Sequence, residues 1–134
     1  MAERGDAETA KDVVLVVDDD PAVLSSLEFA LQTEGFAVTT YATGHELLQC
    51  QQVPTRGCFV IDYYLPGMNG LEVAMALRAR RINLPIILIT THPTRTLRHS
   101  AAAEGIDIVE KPLLGNALSE TIRAAFNLPP KPRG

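Results

Sequence analysis

The sequence predicts an α/β protein in which one doubly wound, five-stranded parallel sheet carries helices on both faces. Short runs of Val, Ile and Leu alternate five times with segments of helical spacing, which is the pattern of repeated strand–helix units. Several of these runs are continuously apolar, as expected for strands buried on both faces. A length of 134 residues with 46% hydrophobic and 21% charged residues suits one soluble domain.

The first unit is a strand, an acidic turn and a helix. Residues 13–17 read Val-Val-Leu-Val-Val and lead directly into three consecutive aspartates. Asp20 followed by Pro21 predicts an N-cap and the first helical position. Apolar residues at helical spacing then continue to Gly35, which is a typical residue just beyond the end of a helix.

The same unit repeats four times along the chain. Further strands are predicted at residues 36–41, 59–62, 85–90 and 106–110. Further helices are predicted at residues 44–52, 71–80, 94–104 and about 113–126. The residues expected on the buried sides of the third and the last helix are Leu71, Ala74 and Leu77 or Arg78, and Leu114, Leu118, Ile122 and Phe126.

These elements divide the chain into a flexible polar arm at residues 1–12, a domain at residues 13–127 and a Pro-rich tail at residues 128–134. No second block of apolar periodicity follows residue 127, so we expect no separate output domain. The N-terminus has no signal-peptide pattern and no apolar run is long enough to cross a bilayer. We therefore expect a cytoplasmic protein without a membrane partner.

Composition excludes some other classes of function. The net charge of −4 argues against a nucleic-acid surface, which needs clustered positive charge. The two cysteines have no metal-ligand spacing, and Cys58 lies in an apolar run as a small buried residue.

Polar residues stand at the carboxyl ends of the predicted strands, and these ends share one edge of a parallel sheet. They are Asp18 and Asp19 after the first strand, Asp62 at the end of the third, Thr90 at the end of the fourth, and Lys111 just beyond the fifth. Carboxylates this close would raise one another's pKa unless a cation is present, and Mg²⁺, or Mn²⁺ in its place, suits oxygen ligands. With Asp62 as nucleophile, the set predicts an aspartyl-phosphate site in which Thr90 and Lys111 hold phosphoryl oxygens.

Each of these signals also has an ordinary explanation. An acidic triplet can be an N-cap, Thr90 can bond to backbone at a strand end, and Lys111-Pro112 can be a solvated turn. A cap, however, needs only one aspartate. The joint occurrence at successive strand ends favours the functional interpretation.

The chain resembles the receiver domain of bacterial two-component response regulators across residues 13–127. The matching segments are Val-Val-Asp-Asp-Asp-Pro at 16–21, Asp-x-x-Leu-Pro-Gly-Met-x-Gly at 62–70, Ile-Leu-Ile-Thr at 87–90 and Glu-Lys-Pro at 110–112. The resemblance implies a flavodoxin-like sheet of order 2-1-3-4-5. It also implies that a sensor histidine kinase phosphorylates Asp62, and that the chain catalyses only its own phosphotransfer and dephosphorylation.

The same resemblance implies roles for the other residues of the site. Asp19, Asp62 and the backbone carbonyl of Tyr64 would bind Mg²⁺ directly, and Asp18 would act through water. Thr90 would move on phosphorylation.

Four positions depart from the family's usual residues or are expected to affect the chemistry at Asp62. Ile108 stands where the family usually has the aromatic switch residue, and Thr91 stands where it usually has Ala or Gly. Tyr64 and His92 flank the path of the hydrolytic water by resemblance. We expect bulky Tyr64 to lengthen the lifetime of the aspartyl phosphate, and we favour a solvent-facing role for His92.

The resemblance leaves the downstream partner open: it is an onward phosphotransfer protein, an output protein or a second copy of the chain. A homodimer would use the fourth helix, the fifth strand and the fifth helix, where Arg95 and Arg98 could pair with Asp107 and Glu120. Two other functions remain alternatives: a degenerate receiver that binds partners without phosphorylation, and a haloacid-dehalogenase-like phosphatase using Asp18 and Asp20.

Overall fold

Five parallel strands form one sheet in the order β2-β1-β3-β4-β5. A computed structural model describes residues 12–50, 52–113 and 115–129. The strands are β1 (Val13–Val17), β2 (Ala37–Tyr41), β3 (Gly57–Asp62), β4 (Ile86–Thr90) and β5 (Asp107–Glu110). The predicted fold class and the strand order implied by the resemblance are both confirmed.

Helices cover both faces of this sheet. They are α1 (Pro21–Thr33), α2 (Gly44–Leu48), α3 (Gly70–Ala79), α4 (Arg95–Ala103) and α5 (Ala117–Ala125). One core cluster joins α2, α3 and α4 to the sheet, and a second joins α1 and α5 to the opposite face. Leu15 and Val17 lie in the first cluster while Val14 and Val16 lie in the second, so β1 is buried on both faces as its apolar run predicts.

Several predicted boundaries differ from the structure. Strand β3 begins at Gly57 instead of residue 59, because Gly57 and Cys58 pair with Val13 and Val14 of β1. Helix α2 ends at Leu48 instead of fading by residue 52, with Gln49 as its C-cap. Glycine and cysteine are weak strand signals, so the sequence pattern alone understates β3.

The third and fifth helices also differ from their predicted forms. Helix α3 begins at Gly70; Ala74 and Leu77 face the core as predicted, Val73 joins them, and Leu71 is only half-buried. Helix α5 begins at Ala117, after Gly115 with φ +70°, a conformation that favours glycine and does not continue a helix.

Some predictions fall outside the described residues. These are the conformation of the arm at residues 1–11, the tail at residues 130–134, and the buried position of Leu114. Within the described residues, Cys58 is fully buried as expected, and burial raises the pKa of its thiol to about 12. The described helices include none that is long and apolar enough to cross a membrane.

Candidate functional site

Three carboxylates meet at the edge formed by the carboxyl ends of the strands. Asp62 is the last residue of β3, and Asp18 follows β1, its neighbour in the sheet. Asp18 and Asp62 are buried, with 2% and 6% of their surfaces exposed, while Asp19 is exposed. One oxygen from each of Asp18, Asp19 and Asp62 lies within 4.8 Å of the others.

The acidic triplet divides between two tasks. Asp20 is the N-cap of α1 and accepts a hydrogen bond from the Ala22 amide at 2.9 Å. Asp18 turns inward: its Oδ1 accepts from the Asp20 amide at 2.9 Å, and its buried Oδ2 has no hydrogen-bond partner among the described residues. Capping therefore accounts for only one of the three aspartates, as the sequence argument anticipated.

Lys111 brings a positive charge to the two buried carboxylates. Its Nζ lies 3.3 Å from Asp62 Oδ1 and 3.6 Å from Asp18 Oδ2. The backbone fixes this approach, because the Lys111 amide donates to the Thr90 carbonyl at 2.9 Å and extends the β4–β5 pairing by one bond.

The Lys111 ammonium does not balance the negative charge of the three carboxylates. Burial raises the pKa of Asp62, the charge of Asp18 raises it further, and Lys111 opposes both. Three carboxylates face one ammonium, so the crevice can accept a further cation, and Asp18 Oδ2, which lacks a hydrogen-bond partner among the described residues, can accept from a metal-bound water. The residues present therefore fit a hard divalent ion such as Mg²⁺.

Thr90 supplies an unused donor at the same edge. It is the last residue of β4 and is fully buried, and its Oγ1 has no hydrogen-bond partner among the described residues. A buried hydroxyl without a partner is costly. Its hydrogen is therefore available to a ligand that enters the crevice.

The remaining predicted residues lie around the crevice. Tyr64 is 56% exposed and packs edge-on against Tyr63, with ring centroids 4.9 Å apart. Thr91 and His92 are exposed in the loop between β4 and α4. Ile108 is half-buried in β5 and packs against the core cluster that contains Leu88.

Sequence reasoning missed the capping of α3, which starts beside this site. The Asn69 side chain accepts from the Glu72 amide at 2.8 Å, and the Glu72 side chain accepts from the Asn69 amide at 2.9 Å. The Asn-x-x-Glu spacing before an apolar run was the available signal for this capping box.

Comparison with known proteins identifies the family. A family model described as "Response regulator receiver domain" matches residues 14–123. The chain belongs to the response regulator receiver-domain family. It is accordingly a receiver domain of two-component signalling, and neither the binding module without phosphorylation nor the phosphatase is favoured.

Individual relatives agree with this assignment. The chain is 37% identical to the transcriptional regulatory protein FixJ of Azorhizobium caulinodans over 84% of its own length and 54% of that protein. Among solved structures, it resembles chemotaxis protein CheY4 of Vibrio cholerae, with TM-score 0.79, 28% identity and coverage of 87% and 99% of the two chains. It also resembles TrrA of Thermotoga maritima, solved in complex with Mg²⁺-BeF, with TM-score 0.73, 29% identity and coverage of 85% and 98%.

The chain spans about half the length of curated relatives such as FixJ. The expectation that no output domain follows residue 127 therefore stays a prediction.

Proposed function

We propose that Asp62 accepts a phosphoryl group from the phosphohistidine of a sensor histidine kinase, in a reaction that requires Mg²⁺. The observation that carries this proposal is the position of the Lys111 ammonium, 3.3 Å from Asp62 and 3.6 Å from Asp18 in a crevice with three carboxylates. The Mg²⁺-BeF complex of the similar protein TrrA supports it as well.

The chain's own groups can perform the transfer with little further chemistry. A carboxylate oxygen of Asp62 would form a bond to phosphorus as the bond from phosphorus to the donor's nitrogen breaks. Lys111 and Thr90 would hold the phosphoryl oxygens, one by charge and the other through its free hydroxyl. Positioning and neutralisation of charge are most of what phosphoryl transfer needs from a protein.

The ligands proposed for the ion are those that the family resemblance implies, and the cluster of Asp18, Asp19 and Asp62 supports them. Asp19, Asp62 and the Tyr64 carbonyl would hold Mg²⁺, or Mn²⁺ in its place, and Asp18 would act through water. No described residue donates a hydrogen bond to the Tyr64 carbonyl, so this oxygen is available. When bound, the ion would neutralise charge on the phosphoryl oxygens.

Incubation with acetyl phosphate tests the proposal without a kinase. The wild-type protein should give a retarded band on a gel that binds phosphoproteins, and EDTA should remove that band. A chain that stays unmodified at saturating acetyl phosphate and Mg²⁺ would contradict the proposal and favour the degenerate receiver.

An apolar groove beside the crevice supports a docking site for the kinase. It lies between α1 and the segment after β5, and its lining residues are Ala22, Val23, Ser26, Leu27, Ala30, Lys111, Pro112 and Leu113. Lys111 belongs to both the groove and the crevice, so a partner seated in the groove would present its phosphohistidine near Asp62. On the same helix, Phe29 exposes 74% of its surface.

Phe29→Ala tests whether the exposed face of the helix that lines this groove contacts the kinase. The variant should lower kcat/KM for phosphotransfer from the cognate kinase by about tenfold, since burial of an exposed aromatic side chain contributes roughly this much to association. The rate with acetyl phosphate should not change, because Phe29 is exposed and is not one of the charged groups of the crevice. Thr96→Ala, an exposed position on α4, is the control. An equal loss with both donors would contradict docking.

Tyr64→Asn tests whether Tyr64 lengthens the lifetime of the aspartyl phosphate. The exposed Tyr64 ring is expected to obstruct the hydrolytic water, so the smaller residue should raise the dephosphorylation rate by about tenfold, or ~1.4 kcal/mol of barrier. Tyr64→Phe keeps the bulk and should behave as wild type. The measurement is the decay of phosphoprotein after the donor is removed, and an unchanged rate in Tyr64→Asn would contradict the idea.

The downstream partner is proposed to bind the surface of α4, β5 and α5, and a second copy of the chain is one candidate. Arg95, Arg98, Asp107 and Glu120 are all exposed there. Arg98 lies 3.6 Å from Glu110 of its own chain, so of these two arginines Arg95 is the one without an ion pair to another described residue. Sedimentation with a beryllofluoride phosphoryl mimic should show a dimer, and a strictly monomeric profile would count against it.

A further inference from the structure

Gly70 lies against the backbone that carries Asp62. A Cβ atom added at Gly70 would lie 2.6 Å from the Asp62 carbonyl oxygen, 2.9 Å from Tyr63 Cα and 3.1 Å from the Asp62 carbonyl carbon. These are backbone atoms at the end of a fully buried strand, so they cannot move aside as a flexible side chain can. A hydrogen atom is all that the contact accommodates.

Hydrogen bonds close the loop between Asp62 and Gly70. The Gly70 amide donates to the Tyr63 carbonyl at 2.8 Å, and the Leu65 amide donates to the same oxygen at 3.2 Å. The Tyr63 amide donates in turn to the Ile89 carbonyl at 2.9 Å, which ties the loop to β4. Tyr64 lies inside this loop, so its carbonyl is held by the same bonds.

We infer that Gly70 is a positioning residue for the site. Its close contact lets the start of α3 press on the Asp62–Tyr63 peptide and hold the Asp62 carboxylate and the Tyr64 carbonyl at fixed positions relative to Asp19. Gly70 itself touches no reacting atom. The inference rests on the proposed function of Asp62, and it adds a residue that acts through the backbone.

Gly44 provides a matched control. It is also buried, and a Cβ added there would clash with Val73 Cγ2 of α3 and lie 3.9 Å from Met68 Cβ. Gly44→Ala therefore places a methyl group of α2 against the first turn of α3, and Gly70→Ala places a methyl group of α3 against the end of β3. Only the one at Gly70 presses on the backbone of Asp62.

The experiment compares Gly70→Ala, Gly44→Ala and wild type in three measurements: thermal unfolding, Mg²⁺ affinity from tyrosine fluorescence, and amide hydrogen exchange at Tyr63 in the metal-free protein. We expect both variants to lose thermal stability. Only Gly70→Ala should show faster exchange at Tyr63 and an affinity for Mg²⁺ lower by about tenfold, as displaced supporting residues of metal sites typically cause. Equal Mg²⁺ affinities and equal exchange in the two variants would overturn the inference.

A second pair of variants, with milder substitutions, tests the inference if Gly70→Ala does not fold. Asn69→Ala removes the cap of α3 and Thr43→Ala removes the cap of α2, where the Thr43 hydroxyl accepts from the Glu46 amide. Asn69→Ala should lower Mg²⁺ affinity by about fivefold, as a lost cap loosens the helix start, and Thr43→Ala should not. Equal effects would overturn the inference.

Acetyl phosphate separates this inference from the proposed function. A wild-type protein that is never phosphorylated would overturn the function of Asp62. A phosphorylated wild type with equal losses in the Gly70 and Gly44 variants would overturn only the role of Gly70.

Discussion

Replacement of Asp62 by Asn should abolish phosphorylation by acetyl phosphate and by the kinase. The side-chain amide is nearly the same size as the carboxylate, but it is not a nucleophile and carries no negative charge for the ion. We expect no retarded band at donor concentrations that fully convert the wild type. Asp107→Asn, an exposed aspartate on β5, should be phosphorylated normally. A retarded band in Asp62→Asn would place the acceptor elsewhere.

The same variant should be more stable than wild type in metal-free buffer at neutral pH. Burial and the Asp18 charge raise the pKa of Asp62 above its ordinary value of 3.8, so the folded protein binds this proton more tightly than the unfolded chain. Wild-type stability therefore falls as the pH rises from below 3.8 through the raised pKa. Asn has no such penalty, so the advantage of Asp62→Asn should appear above that range and vanish below it.

Thermal unfolding of both proteins over a range of pH checks the direction of this stability difference. Saturating Mg²⁺ should shrink the difference, because a bound cation stabilises the charged form of Asp62 in the wild type. A variant less stable than wild type at neutral pH without metal would contradict the account of the charges in the crevice.

Replacement of Lys111 by Met should slow phosphorylation by about 100-fold, the usual effect of removing one group that stabilises charge in a transition state. Lys111 is the group that faces both Asp62 and Asp18, at 3.3 Å and 3.6 Å. The metal-free variant should also lose about 1–2 kcal/mol of stability at pH 7, less than a fully buried pair because Lys111 is partly exposed.

Lys111→Arg separates charge from shape. Arginine keeps the positive charge, so it should preserve most of the stability, but its wider planar group should not restore the rate. Initial rates with acetyl phosphate and thermal unfolding check both effects. A Lys111→Met variant with a wild-type rate would remove Lys111 from the mechanism.

The site could be predicted largely because its residues stand at strand ends. Continuous apolar runs define β1, β3 and β4, and the residues after such runs must meet at one edge of a parallel sheet. Asp18, Asp62 and Lys111 come together on that basis. Residue type then limits the chemistry, since three carboxylates and an ammonium suit a cation and a phosphoryl group.

The details that escaped prediction depend on packing between segments distant in sequence. Gly57 joins β3 only because β1 pairs with it. The buried side of α3 adds Val73 to the predicted Ala74 and Leu77, and the helix begins at Gly70, which packs against Asp62. No local pattern reports that contact. A glycine in a loop motif indicates a turn, whereas Gly70 matters because it has no Cβ to clash with the backbone at the end of β3.

Identification of the phosphorylated residue tests the central claim most directly. The protein would be phosphorylated with acetyl phosphate and Mg²⁺ and then reduced with borohydride, which converts an acyl phosphate of aspartate to homoserine. Peptide mass spectrometry would locate that residue. The account predicts homoserine at position 62 and nowhere else. Homoserine at Asp18, Asp19 or Asp20, or at no position in a protein that shows a retarded band, would contradict it.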